Sequence, residues 1–253
     1  SMLLRRITKH VKDQNWFAIG IDFCIVVIGV FMGIQVANWN DGLAENQREV
    51  AYLERLDKEF EVVEARITRA FLVGEARKEA TKTMLNAWEI GPSAFSDPAG
   101  KGPGELFLEI LTNVVPTNPP AAFRELVASG ELSILENEIL RTALYEFDAL
   151  SEVTKSAYET TQNDMREFRH LVHTAYLFEI DTLDDAFLAA RDGRREPGSI
   201  KGRFFPEAFF GNDEFRQALN TASTSIINMR VLAQQQQDLI VLIDALIAEE
   251  LAK

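Results

Sequence analysis

The chain holds one cysteine, Cys24, among 253 residues. That count excludes an intrachain disulfide and any zinc-finger-type metal site. Because Cys24 lies inside an apolar run, it says nothing of the redox compartment of the rest. Histidine is nearly as scarce: His10, His170 and His173. A serine or cysteine nucleophile needs a nearby histidine in a recognisable turn, and no Gly-x-Ser-x-Gly occurs. The glycine-rich stretch 91–104 lacks the Gly-Lys-Ser/Thr of a phosphate loop. Basic charge is the minority sign, with 26 Lys and Arg against 39 Asp and Glu and a net charge of −13. Up to Trp39 the balance is +2, so the remainder carries −15. An acidic body excludes nucleic acid as the expected partner, because phosphate binding needs a basic footprint. No cofactor, metal site or catalytic group is expected.

What the chain does have is one long apolar run, from Phe17 to Ala37. Twenty-one residues of helix span about 31 Å, the thickness of a bilayer's hydrocarbon core. Trp16 and Trp39 bracket it where an aromatic belt belongs. Arg5, Arg6, Lys9 and Lys12 precede it, and the next cation is Arg48. The positive-inside rule then puts the N-terminus in the cytoplasm and the rest across the membrane. Ser1 precedes Met2, and the native start is expected at Met2. A cleaved signal peptide fits less well, because the apolar run is too long and Gly42-Leu43-Ala44 lies beyond polar residues. A buried helix of a soluble domain is the other alternative, against which the basic head and the flanking tryptophans count.

Within the run, Asp22, Val26, Gly29, Gly33 and Val36 share one helix face, all within about 40° of Asp22 at 100° per residue. Small residues four apart let helix backbones approach closely in lipid, and an intramembrane carboxylate faces protein or water. Helix–helix association through this face is the simplest explanation. The plainer one is that Asp22 snorkels to the headgroups and that the glycines are incidental.

Beyond the run, Asn40-Asp41-Gly42 is turn-prone: a hinge, or helix running through. A long helix is expected from Gln47 to Glu89, with Leu53, Leu56, Phe60, Val63, Ile67 and Ala70 in a heptad-like stripe. The loop 91–104 stops it. Short helices follow over Glu105–Asn113 and from an Asn118 cap with Pro119 first in the helix, ending at Gly130. Ser133-x-x-Glu136 reads as a capping box for a helix from Ile134 to Glu179, striped by Tyr158, Thr161, Met165, Phe168, Val172 and Ala175. A short amphipathic piece, Leu183–Arg191, and a charged loop, Asp192–Arg203, come next. Asn212 caps a final helix in which Phe215, Leu219, Ala222, Ile226, Met229, Ala233, Gln236, Ile240, Ile243 and Ile247 keep 4-3 spacing. No strand is expected. The fold class is therefore all-α. The expected layout is a basic head over 1–16, a membrane helix over 17–39, and an antiparallel bundle of three long helices with short ones over 40–253.

Three further features invite a site. His170 and His173 share a helix face, and Glu167-x-x-His170 matches half of a bundle di-iron motif. The second half is missing, so an incidental pair is the reading. Gln236, within Gln234–Gln237, interrupts the apolar stripe as a polar layer of the kind that fixes register or partner choice. Phe204, Phe205, Phe209 and Phe210 form either a lid on the core or an exposed partner patch.

The stretch Val27-Ile28-Gly29-Val30-Phe31-Met32-Gly33-Ile34-Gln35-Val36-Ala37-Asn38-Trp39-Asn40 resembles the N-terminal signature of a family of bacterial membrane proteins. Its members have one N-terminal membrane helix and a helical remainder. Phe123–Arg141, with Leu126-x-x-Ser129-Gly130-x-Leu132 and a following Leu-Arg helix, is similar to a second block of that family. The resemblance implies a bacterial inner-membrane protein facing the periplasm, and no activity. The expected role is that of a membrane-anchored structural or interaction protein. Its partners are the lipid bilayer, other copies as a homo-oligomer, and another membrane or periplasmic protein. The alternative is an ion-coupled or sensory subunit using Asp22. Stator B-type and biopolymer-transport D-type subunits share that layout, but the stator peptidoglycan-binding domain is missing here.

Overall fold

The computed structural model describes residues 16–95, 100–183 and 200–253, with side chains of the first helix described at Ile21 and from Phe23 onward. The basic head with Arg5, Arg6, Lys9 and Lys12, the middle of the 91–104 loop, all but Leu183 of the amphipathic piece, and the charged loop before Ile200 lie outside the described residues. The chain divides into two compact units, 1–52 and 53–253.

The described part of the first unit, from Trp16, is helix. Helix α1 runs from Trp16 to Ile90 without a break, so Asn40-Asp41-Gly42 is helical and not a hinge. A lone glycine inside a strong helical context costs about 1 kcal/mol, too little to stop propagation. The helix ends at Gly91, whose φ of +83° turns the chain.

The second unit is a three-helix bundle. It comprises the later part of α1, helix α4 (Glu138–Ala175) and helix α6 (Asp213–Leu251). Helix α6 is antiparallel to both others. Gln237 meets Thr68 and Arg230 meets Glu75 on α1, while Gln236 meets Ser151 and Ser225 meets Asp164 on α4. The expected stripes form the interior. Leu53, Leu56, Phe60, Val63 and Ile67 are buried, as is every member of the α6 stripe except the half-buried Met229. The short helices α2 (Pro103–Leu111) and α3 (Ala121–Ser129) each touch both α1 and α4: Ile110 meets Arg77 and Phe107 meets Phe168, while Ala122 meets Glu59 and Phe123 meets Tyr145.

The interior has two apolar ends and a polar waist. One end gathers Phe60, Phe147, Ile240, Ile243 and Ile247. The other is aromatic: Phe107, Phe168, Phe209 and Phe215 are fully buried against Trp88, Tyr176 and Phe204. Between them lie Gln236, 3% exposed and donating to Ser151 Oγ at 3.4 Å, and Gln237 donating to Thr68 Oγ1 at 3.0 Å. Shifting a helix by one turn would leave these amides facing apolar neighbours, which is how a polar layer selects one register.

Several local expectations differ from the fold. Tyr176–Phe178 (β1) pairs antiparallel with Gly202–Phe204 (β2), Tyr176 opposite Phe204, so a small ribbon exists where no strand was expected. Helix α3 begins at Ala121 with Pro120 before it, not at Pro119 after an Asn118 cap. Each proline disfavours helical conformation in the residue ahead, so Pro119-Pro120 delays the start. Helix α4 begins at Glu138, not Ile134. Its cap is Asn137, whose Oδ1 accepts from Leu140 N at 3.0 Å, while Leu132–Ile134 is a 3₁₀ turn and not a capping box. Helix α4 ends at Ala175 because the ribbon takes over the backbone.

Gly130 ends α3 in the left-handed region, φ +74°, and Glu131 N donates to the Leu126 carbonyl at 3.0 Å. Gly130→Ala is expected to cost about 1 kcal/mol, from the clash of Cβ with the carbonyl in this conformation and not from lost contacts. Thermal unfolding of the full chain in detergent measures it.

Candidate functional site

The face singled out in the first helix is open. Val26 and Val36 are about 60% exposed, and a side chain built on Gly29 or Gly33 would meet nothing within 4 Å. The Asp22 side chain lies outside the described ones. Every described side chain from Phe23 to Arg48 is exposed, and the apolar window has a mean hydropathy of 1.7 with none of it buried. This helix is long and apolar enough to cross a membrane.

The four phenylalanines do not act as one surface. Phe209 is fully buried and packs on Trp88 at 3.9 Å between ring centres, while Phe204 and Phe210 are half-buried around it. Phe205 stands apart, half-buried, with the Arg203 guanidinium 5.2 Å from its ring centre. His170, His173 and Glu167 are exposed. Among the described residues no group of three His, Cys, Asp or Glu side chains is placed to hold a metal ion.

A different place gathers charge. Along α1, Lys58, Val62, Arg66 and Arg69 step by four, four and three, so they form one strip on one side of the helix. Across from them runs the irregular segment 112–120, then α3 carrying Arg124. Helix and segment border an open groove of about 810 Å³. Lys58, Arg66, Arg69 and Arg124 are exposed along it and have no ion-pair partner among the described residues. The one carboxylate in its wall, Glu59, is already engaged. One oxygen accepts from Arg55 Nε at 3.1 Å and the other from Ala122 N at 2.9 Å.

A neighbouring face of α1 has the reverse sign. Asp57, Glu61 and Glu64 lie near enough to Asp244 of α6 for their charges to act on it. Partial burial, reinforced by these three carboxylates, pushes the Asp244 carboxyl up to about 6. Helix α1 thus sorts its charge into an acidic strip toward α6 and a basic strip toward the groove.

The segment bordering the groove is fastened from within by Arg77, which is 4% exposed. Its Nε donates to the Ile110 carbonyl at 3.0 Å and its Nη1 to Asn113 Oδ1 at 2.9 Å. Its Nη2 is buried without a partner. Burial lowers its pKa to about 10, so it remains charged at neutral pH. Arg77 also lines an inner cavity of about 30 Å³ with Thr154 and Gln236, large enough for a water molecule or two and too small for an organic ligand.

The groove was not anticipated. Its helical half was visible as the 4-4-3 spacing of Lys58, Val62, Arg66 and Arg69, but its other half comes from a segment fifty residues downstream.

No protein-family model, no curated protein and no solved structure matches the chain.

Proposed function

We propose that the chain is a membrane-anchored interaction protein whose N-terminal helix crosses a bilayer and self-associates through Asp22, Val26, Gly29, Gly33 and Val36. The basic head then lies on the cytoplasmic side and the helical bundle on the other, in a bacterial inner membrane with the bundle in the periplasm. The observation that carries this reading is the uninterrupted exposure of apolar side chains from Phe23 onward. Such a surface is costly in water and is covered by lipid or by another helix. Open space beside Gly29 and Gly33 suits a second helix at close range. The charge asymmetry and the sequence resemblance support the orientation.

Single cysteines introduced into a Cys24→Ser background test the packing face. Val26→Cys and Gly33→Cys should form disulfide-linked dimers in membranes far more readily than Phe31→Cys, which lies about 180° away from Asp22. Gly33→Leu should weaken association by about 1–2 kcal/mol. Equal crosslinking at all three positions would sink the proposal. Asp22→Asn separates packing from ion coupling: an ion relay is lost in that variant, whereas association through the glycines persists.

A further inference from the structure

We infer that the groove between α1 and segment 112–120 binds a small multivalent anion, an organic molecule bearing phosphate or carboxylate groups. Some cations on this acidic body are neutralised by neighbours, Lys101 by Glu109 and Arg230 by Glu75, and at the groove's edge Arg55 by Glu59 and Glu125. In the groove, four have no ion-pair partner among the described residues, and the one carboxylate there is held by other donors. Like charges gathered without counter-charge repel one another, and an anion between them relieves that repulsion. Arginine also presents the planar donor fork that matches carboxylate and phosphate oxygens.

Geometry narrows the ligand. From Lys58 to Arg69 the strip extends about 16 Å along the helix, so a ligand reaching the whole strip carries more than one anionic group. The volume, about 810 Å³, falls in the range of small-molecule clefts, roughly 300–1,000 Å³. The far wall mixes apolar and polar groups: Val114, Val115 and Pro116, with the buried Pro119 and Pro120, alternate with Asn113, Thr117 and Asn118. Its apolar groups suit a ligand with an apolar part. Arg77 holds the wall in place beforehand through Ile110 and Asn113, which lowers the ordering cost of binding. Size is further restricted by the surrounding charge. A long polyanion feels the net negative body, whereas a small anion inside the groove lies within about 8 Å of the cations, where they dominate at physiological salt.

The test is titration calorimetry on the full chain in zwitterionic nanodiscs, with pyrophosphate and citrate as probes. Saturable single-site binding of at least one probe is expected, weakening as salt is raised. The stronger probe tells phosphate from carboxylate chemistry. Arg66→Gln with Arg69→Gln should lower the affinity about tenfold or more, and Arg124→Gln, on the other wall, should lower it as well. Arg216→Gln, outside the groove, should leave it unchanged. Arg66, Arg69 and Arg124 are exposed, so their replacement leaves the core intact, which melting curves of each variant verify. The inference is overturned if neither probe binds at millimolar concentration, or if binding persists equally in the folded double variant.

Discussion

Phe107→Ala is expected to remove about 3–5 kcal/mol of the bundle's stability, a fall in Tm on the order of 10 °C. Phe107 has no exposed surface and its ring lies 5.8–6.4 Å, centre to centre, from those of Phe168, Tyr176, Phe204, Phe209 and Phe215. These neighbours come from α4, the ribbon, the Pro206–Phe210 helix (α5) and α6, so one ring joins most elements of the aromatic end. Truncation removes the transfer energy of the ring and leaves a cavity that its rigid aromatic lining fills poorly. Phe205→Ala provides the contrast. Phe205 is half-buried and meets the Arg203 guanidinium, so its truncation should cost under about 1 kcal/mol. Circular-dichroism melts of the two variants in detergent decide the matter. Similar losses would mean that the aromatic end is not close-packed. A large loss at Phe107 with a small one at Phe205 is what an aromatic lid on the core requires.

Asp244→Asn is expected to stabilise the protein, and only above mildly acidic pH. The Asp244 carboxyl is raised from 3.8 to about 6 by partial burial, then by Glu64, Asp57 and Glu61. A carboxyl raised on folding contributes stability below its unfolded pKa, and that contribution is lost as pH rises through the folded value. The window therefore runs from about pH 4 to pH 6. A displacement of this size corresponds to about 3 kcal/mol, and solvent screening at a half-buried site reduces it to about 1–2 kcal/mol. At pH 7.5 the asparagine variant should melt higher by several degrees, and at pH 4 the two proteins should coincide. A difference that does not change between these pH values would show that the acidic strip on α1 does not act on Asp244.

The long helices were legible because periodicity survives over many turns. In α6 the stripe from Phe215 to Ile247 predicts the buried face nearly residue for residue, and Asn212 caps the helix as its side-chain chemistry requires. Gly130 was legible for a similar reason, since one backbone conformation favours one residue. Features that depend on distant pairing were not. Strand β1 has three residues and its partner lies more than twenty further on, so neither carries a pattern of its own. Arg77 was hidden by its position. It continues the buried stripe of α1 past Ile67, Ala70 and Gly74, where a charged residue reads as the end of an apolar face. Only the Ile110 carbonyl and Asn113, brought over by folding, make that position habitable for a guanidinium. The groove combines both difficulties: one wall is periodic, the other is an irregular segment whose place depends on Arg77.

The ribbon has a consequence for the path of the chain. Tyr176 stands opposite Phe204, and Glu179 N donates to the Lys201 carbonyl at 3.0 Å. The chain therefore leaves the bundle and re-enters it at neighbouring points, fastened on both sides by ladder hydrogen bonds. Leu183 and Ile200, which bound that stretch, pack on the aromatic end, so the ribbon sets the two points of exit and return at a short distance and ties both to the core.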